Sequence, residues 1–283
     1  MKERTITEKN LNRFIIRMSE DEKSAATREK YLRDVRTFCL FCGDSEVKKE
    51  TVIAYKQKLI ADGYAVRSIN SMLASLNSLF SFLGWYDLRV KALKIQQEVF
   101  RPEEKELTRA EYVRLCRTAE KKKNERLSLI LQTICASGIR VSELRFITAE
   151  AVRKGEATVS LKGKTRTVFF VKELQKKLLR YMSRRKITEG AVFVTNTGKP
   201  IDRSNIWREM KNLCGEAEVN PEKVFPHNLR HLFARIFYAV EKDIAKLADV
   251  LGHSSINTTR IYIISTGTEH RQRMERMRLV PIT

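Results

Sequence analysis

The chain has 283 residues, of which 42% are hydrophobic, so it has apolar material for two modest cores and is not an intrinsically disordered chain. Its 55 lysines and arginines outnumber its 34 aspartates and glutamates and give a net charge of +21, which favours a polyanionic partner, with nucleic acid ahead of an acidic membrane surface. No apolar run approaches the roughly 20 residues of a membrane span, and the N-terminus lacks the apolar segment of a signal peptide, so we expect a cytoplasmic protein with no membrane partner.

Residues 1–98 are predicted to form a helical domain. The expected helices cover Glu8–Met18, Thr27–Gly43, Lys49–Asp62 and Arg67–Leu83, and the last three end at or beside a glycine. Cys39 and Cys42 have no second pair that would complete a four-ligand zinc site, and Cys42 lies at helical spacing from the apolar Phe38 and Val35. We therefore predict reduced thiols in the core and no metal site.

A polar segment over residues 99–107, which contains Pro102, is predicted to link this domain to a second domain over residues 108–283. The charge is divided unevenly, because residues 1–106 carry a net +4 and residues 107–283 a net +17. Most of the attraction for a polyanion is therefore expected in the second domain.

The second domain is predicted to be mainly helical with a small antiparallel β-sheet. Thr108 and Glu111 have the spacing of a capping box, which opens a helix through Cys116. Two strands are predicted to form a hairpin around Lys162-Gly163-Lys164, and a third short strand is predicted after them; the three cover Ala157–Leu161, Thr165–Val171 and Ala191–Val194. Further helices are expected over Leu127–Ile134, Ser204–Cys214, Leu229–Val240, Ile244–Leu251 and Glu269–Arg278.

Three clusters in the second domain combine residue types that bind or transfer phosphate. Arg140 follows a glycine at an expected helix start, where a guanidinium can hold a phosphate. His227 and Arg230 are three residues apart, so on a helix their side chains share one face. The third cluster is Leu-Gly-His253, with Tyr262 nine residues later.

Each cluster also has an ordinary explanation when it is taken singly. A surface ion pair, a solvated loop histidine and a core tyrosine are all common, and they would need no function. The occurrence of all three in one chain, in this order, favours a functional site.

The three clusters also carry a family resemblance, in Gly-Ile-Arg140-Val-Ser-Glu-Leu, Pro-His227-Asn-Leu-Arg230-His, Leu-Gly-His253 and Tyr262. In these motifs the chain resembles the tyrosine recombinases, the family of phage integrases and Xer-type chromosome-dimer resolvases. The segment that begins at Ser68 is similar to the last helix of the family's N-terminal domain. The resemblance implies an Xer-like member with two domains, an N-terminal helical core-binding (SAM-like) domain and a C-terminal catalytic domain.

The resemblance also implies roles for the motif residues. Arg140 and Arg230 would stabilise the charge on the equatorial oxygens of a phosphodiester, and His253 would add a hydrogen bond to it. Tyr262 would be the nucleophile, assisted by His227, and would form a 3′-phosphotyrosyl link with release of a 5′-hydroxyl. No metal, ATP or other cofactor is expected.

A lysine on the hairpin is implied as the general acid that protonates the leaving 5′ oxygen. The family pattern Lys-Gly-x-Lys-x-Arg-x-Val-Pro matches this chain with one loop residue missing, and Phe169 occupies the usual place of proline. Alignment on Lys-Gly favours Lys162, with Lys164 left as the alternative. The ordinary explanation for these lysines is a basic hairpin that binds DNA without taking part in catalysis.

Double-stranded DNA with paired recognition sites is the expected partner, bound by a homotetramer or by a heterotetramer with a related recombinase. Phosphate contacts are expected to dominate. The candidate contacts are Arg67, Ser68, Asn70 and Ser71 in the first domain and Lys164, Arg166, Lys199, Arg203, Ser204 and Arg208 in the second. The helix after Tyr262 either docks onto a neighbouring protomer, as in the family, or folds back on its own domain.

Site-specific recombination, as in integration, excision or resolution, is the leading functional prediction. Two alternatives stay open at this point: a type IB topoisomerase, which would relax DNA without joining two fragments, and a non-catalytic DNA-binding regulator. The complete set of motif residues argues against the regulator, since a decayed enzyme is expected to have lost at least one of them.

Overall fold

The computed structural model describes residues 4–43, 45–95, 103–161, 163–195, 197–262 and 267–277. The chain divides into two units, Met1–Gln97 and Glu98–Thr283, and each has its own cluster of buried apolar side chains. In the described ranges, no helix is both long enough and apolar enough to cross a membrane.

The first unit consists of the four predicted helices. They are α1 (Glu8–Glu20), α2 (Ala25–Cys42), α3 (Lys49–Ala61) and α4 (Val66–Phe82). Their inward faces meet around three buried aromatic rings, with centroids 5.1 Å apart for Phe38 and Tyr55 and 6.0 Å apart for Phe38 and Phe80. The apolar stripe of α4 is buried as its spacing indicates, so the helical prediction for this unit is confirmed.

Two asparagines of α4 hold the chain that leaves this helix. The amide of Asn77 donates to the carbonyl of Val90 at 2.9 Å and accepts from the Val90 N–H at 3.0 Å. Asn70 makes the same pair of bonds with Leu93, at 2.9 and 2.7 Å. These bonds satisfy backbone groups of Val90 and Leu93 that have no helix or sheet partner. The two asparagines therefore have a structural role on α4.

The second unit is mainly helical. Its helices are α5 (Arg109–Lys121), α6 (Glu125–Ser137), α7 (Ala149–Lys154), α8 (Lys172–Arg185), α9 (Arg203–Lys211), α10 (Cys214–Ala217), α11 (Pro226–Glu241), α12 (Ile244–Leu251), α13 (Ile256–Arg260) and α14 (Gly267–Met277). Helix α6 is central, since eight of its 13 residues are buried, and it packs against α5, α8 and α11. Thr108 and Glu111 form the predicted capping box at the start of α5.

The hairpin of the second unit is confirmed. Strands β1 (Glu156–Leu161) and β2 (Lys164–Phe169) pair antiparallel, with Glu156 opposite Phe169 and Leu161 opposite Lys164. Gly163 has a φ of +73° in the connecting turn. Strand β2 ends two residues earlier than predicted because Val171 is already the N-cap of α8.

The prediction of a third strand over Ala191–Val194 is wrong. Only isolated bridges occur there, Thr148 to Ala191 and Val194 to Pro200. Val192 and Phe193 are adjacent and both are buried, so the chain bends to place both inside instead of alternating between two faces as a strand does. Helices α7, α8, α10 and α13 were not predicted.

Candidate active site

Five of the six predicted catalytic residues meet in the second unit. Nη2 of Arg230 lies 3.0 Å from Nε2 of His253, and the Tyr262 hydroxyl lies 3.3 Å from Nε2 of His227. Arg140 approaches the same place, where its Nη2 donates to the carbonyl of Gly252 at 3.4 Å. The sixth residue, Lys162, lies outside the described residues, so the choice between Lys162 and Lys164 stays open.

A glycine with a left-handed backbone conformation, at the end of α6, allows these side chains to lie close together. Gly138 has a φ of +65°, and a Cβ at this position would lie 2.4 Å from Cδ1 of Phe233 on α11. The absent side chain therefore lets α11 pack closely against the end of α6. Beyond Gly138 the chain turns outward, and Arg140 caps a 3₁₀ helix over Val141–Phe146.

Helix α11 begins at Pro226, three residues earlier than predicted, and this places both of its motif residues on one helix. Arg230 is 1% exposed and donates to the carbonyl of Leu251 at 2.6 Å and to the carbonyl of Gly138. Burial, and then repulsion by Arg140, lower the pKa of Arg230 to about 10. Arg230 is therefore a buried guanidinium that is still charged at pH 7, fixed by carbonyl groups of two segments.

A buried carboxylate holds Arg140. Glu143 is 0% exposed, and it accepts from the backbone N–H of Arg140 at 2.8 Å and from its Nη1 at 2.9 Å. Arg166 on β2 binds the same carboxylate with both Nη atoms, at 2.9 and 2.8 Å. Burial alone would raise the pKa of Glu143, but hydrogen bonds from Arg166 and from the Arg140 backbone outweigh it and lower the pKa to about 2.

The structure places Arg166 inside the site, where sequence reasoning expected a DNA contact. Its side chain is 14% exposed, and besides Glu143 it donates from Nε to the carbonyl of Val250 at 3.2 Å. The side chain crosses Gly252, where a Cβ would lie 2.8 Å from Cδ of Arg166. The glycine of the Leu-Gly-His motif thus leaves room for an arginine that comes from the hairpin, and Arg166 is occupied by protein partners.

His253 follows the end of α12 and is half-buried. Its Nε2 faces Arg230, and its Nδ1 lies 2.9 Å from the hydroxyl of Thr259 on α13. Burial, and then the charges of Arg230 and Arg140, lower the pKa of His253 to about 4. The imidazole is therefore neutral at pH 7.

The ring of Tyr262 is packed among three histidines of the same chain. It stacks on His231, with centroids 4.2 Å apart and planes 23° apart, and it meets His227 edge-on at 5.5 Å and His253 at 5.2 Å. Tyr262 is 5% exposed, whereas His227 is exposed at the edge of the site. Sequence reasoning assigned no role to His231, and its only signal was its place directly after Arg230.

The candidate DNA contacts differ in their surroundings. Asn70 is half-buried and bound to Leu93, so its amide already has backbone partners. For Lys164 the structure describes only its place at the start of β2. The remaining candidates, which are exposed, are Arg67, Ser68, Ser71, Lys199, Arg203, Ser204 and Arg208. Contact with DNA stays a prediction for all of them.

Two family models match the chain. Residues 105–269 match the model of the phage integrase family, and residues 11–86 match that of the phage integrase N-terminal SAM-like domain. Tyrosine recombinase XerA of Pyrococcus furiosus is 30% identical over 290 residues, which cover 99% of this chain and 98% of the relative. Tyrosine recombinase XerA of Thermococcus kodakarensis is 29% identical, and 91% of each chain is covered.

Solved structures with the same fold include recombinases bound to DNA. A crystal structure of XerA recombinase is 26% identical, with a TM-score of 0.55 and coverage of 96% of this chain and 99% of that one. The Tn1549 transposon integrase in complex with transposon right end DNA is 18% identical, with a TM-score of 0.71 and coverage of 94% and 98%. XerH bound to difH substrate in a pre-cleavage complex is 17% identical, with a TM-score of 0.68 and coverage of 95% and 84%.

Proposed function

We propose a reaction sequence for this chain, which belongs to the phage integrase family of tyrosine recombinases. It is a site-specific DNA recombinase, which cleaves and rejoins DNA strands by means of a tyrosine. The observation that carries the residue assignment is the position of the Tyr262 hydroxyl, 3.3 Å from Nε2 of the exposed His227. The Tyr262 ring also packs against His253, which faces Arg230 at 3.0 Å, and Arg140 donates to the carbonyl that precedes His253.

Arg140 and Arg230 bind the scissile phosphate. A phosphodiester repels nucleophiles because it is negatively charged, and its pentavalent transition state carries more charge on the equatorial oxygens. Arg230 is held by carbonyl groups and Arg140 by Glu143, so neither has to be ordered when the phosphate arrives. Fixed positive charge at this position lowers the barrier without reorganisation of the protein.

Tyr262 attacks the phosphorus. Its phenol proton passes to Nε2 of His227 as the bond between the phenolic oxygen and phosphorus forms, and the bond between phosphorus and the 5′ oxygen breaks. Lys162, with Lys164 as the alternative, gives the leaving 5′ oxygen its proton. The products are a 3′-phosphotyrosyl strand end and a free 5′-hydroxyl, and the total number of phosphodiester bonds is unchanged.

Rejoining is the reverse of cleavage with a different 5′-hydroxyl. The incoming hydroxyl gives its proton to the lysine, attacks the phosphotyrosyl bond and releases Tyr262, which recovers its proton from His227. The covalent link conserves the energy of the phosphodiester, so the cycle uses neither ATP nor a metal ion.

Exchange between two duplexes requires more than one protomer, and we assign this to a homotetramer, or a heterotetramer with a related recombinase, on paired sites. Helix α14 supports this assignment, since Met274 and Met277 are 58% and 61% exposed on it. An apolar face of this kind is suited to docking on a neighbouring protomer.

A nicked DNA substrate tests the nucleophile. Cleavage close to a nick releases a short fragment that diffuses away, so the covalent complex accumulates and can be seen after denaturation. We expect wild-type protein to form the adduct without metal or ATP, and Tyr262→Phe to bind the same DNA without forming it. Tyr86→Phe, a change at an exposed tyrosine of the first unit, is the matched control and should react normally.

A nicked substrate with a randomised central sequence also reveals the recognition site when the covalently bound DNA is sequenced. Adduct formation by Tyr262→Phe at the wild-type rate would refute the assignment of the nucleophile. Joining of two separate DNA fragments, as opposed to relaxation of one supercoiled circle, distinguishes strand exchange from topoisomerase activity.

A further inference from the structure

Thr259 directs its hydroxyl at the ring of His253 from inside the protein. The residue is 0% exposed, and its Oγ1 lies 2.9 Å from Nδ1 of His253. The preceding Thr258 is exposed, so of these two adjacent threonines only Thr259 faces the site. A buried hydroxyl beside an active-site histidine influences which ring nitrogen carries the proton.

The hydrogen bonds of His253 define its tautomer in the DNA-free protein. A guanidinium can only donate, so Nε2 of His253, which lies 3.0 Å from Nη2 of Arg230, must accept. A neutral imidazole then carries its proton on Nδ1, and this proton is donated to the hydroxyl of Thr259. The surrounding cations Arg230, Arg140 and Arg166, with His227, favour this neutral ring.

The proposed reaction requires the other tautomer of His253, with the proton on Nε2. When a phosphate oxygen replaces Arg230 as the partner of Nε2, His253 can bind that oxygen only if Nε2 carries a proton. A ring that stays neutral must then present a lone pair at Nδ1. The hydroxyl of Thr259 can serve this state as well, because rotation about its C–O bond turns it from acceptor to donor.

We propose that Thr259 is a positioning residue that accepts a hydrogen bond from Nδ1 of His253 in the DNA-free protein and donates one to it when the scissile phosphate is bound. This inference rests on the proposed function of His253 as a ligand of the phosphate. This change of tautomer leaves the number of protons on the ring unchanged, since the ring takes one at Nε2 from solvent and releases one from Nδ1 to solvent. A side chain that could only donate or only accept would favour one of the two states.

Variants of Thr259 separate the hydroxyl from the packing of the side chain. Thr259→Val keeps the shape and removes the hydroxyl, and we expect it to slow adduct formation on a nicked substrate by about tenfold to a hundredfold, with little change in DNA affinity. Thr259→Ser keeps the hydroxyl and should recover most of the rate. Thr258→Val, one residue away and exposed, is the matched control and should react at the wild-type rate.

The tautomer itself can be read by ¹⁵N NMR of the histidine rings, with the non-cleaving Tyr262→Phe protein used for the DNA complex. We expect the Nδ1–H form of His253 without DNA and the Nε2–H form with it. The inference would be overturned by an Nε2–H form in both states, or by wild-type cleavage in Thr259→Val. Failure of wild-type protein to form any adduct would instead count against the proposed function, and the NMR measurement does not depend on it.

Discussion

Replacing Glu143 with glutamine tests whether one buried carboxylate holds Arg140 and Arg166 together. The variant keeps the size of the side chain and removes the charge that two arginines share. Lowering a carboxyl pKa from 4.5 to about 2 corresponds to roughly 3 kcal/mol of stability at pH 7. For a unit of this size that is a decrease in Tm of about 6–12 °C.

The lowered pKa of Glu143 also predicts how its contribution to stability changes with pH. Because the folded-state pKa is depressed, the contribution of Glu143 is complete above pH 4.5 and is lost as the pH falls toward 2. We therefore expect the stability difference between wild type and Glu143→Gln to be largest at pH 7 and to shrink below pH 4.5.

Chemical denaturation provides the measurement. A Trp85→Phe background leaves Trp207 as the one tryptophan in the chain, so its fluorescence reports unfolding of the second unit. Glu173→Gln, at an exposed surface pair, is the matched control and should change stability by less than about 0.5 kcal/mol. Equal stability of Glu143→Gln and wild type at pH 7, or a difference that persists unchanged at low pH, would refute the reasoning.

Three further predictions concern other contacts. Gly252→Ala should slow adduct formation, because its Cβ would lie 2.8 Å from Cδ of Arg166 and its φ of +66° is strained for any other residue; an unchanged rate would contradict this. Asn70→Ala should lower the stability of the first unit by about 1–3 kcal/mol in thermal unfolding, because both bonds to Leu93 are lost; a loss of DNA affinity with no loss of stability would indicate a base contact instead. In an NMR titration without DNA, His253 should protonate near pH 4, and its stability contribution should fall as the pH drops from 6.5 toward 4; a midpoint near 6.5 would be inconsistent with its burial.

Local patterns in the sequence were sufficient for much of the fold. The last three helices of the first unit follow from their glycine ends and, in α4, from one apolar stripe. The capping box at Thr108 and the hairpin around Gly163 are recognised by short-range chemistry. Helix α8 was missed although Leu174, Leu178 and Tyr181 form a stripe, because six basic residues surround them. Helix α13 has only five residues, too few to show a period.

The site shows a different limit of sequence reasoning. Motifs named five side chains that the structure brings close together, because their residue types and order are distinctive. They did not identify the bond between Glu143 and Arg166 or the one between Thr259 and His253, since both depend on how the chain packs. Arg166 looked like a surface cation for this reason, and its role depends on the missing side chain of Gly252.

The packing of Tyr262 predicts how one inactive copy affects the activity of an assembly of several copies. Its ring lies against His231, His227 and His253 of the same polypeptide, and His253 faces Arg230. The five described groups of the proposed site therefore belong to one copy of the chain, which predicts that a copy borrows none of them from a neighbour. When wild-type and Tyr262→Phe chains are mixed, the fraction of sites that can form an adduct should follow the mixing ratio, so a single inactive copy silences one strand and leaves the others able to react.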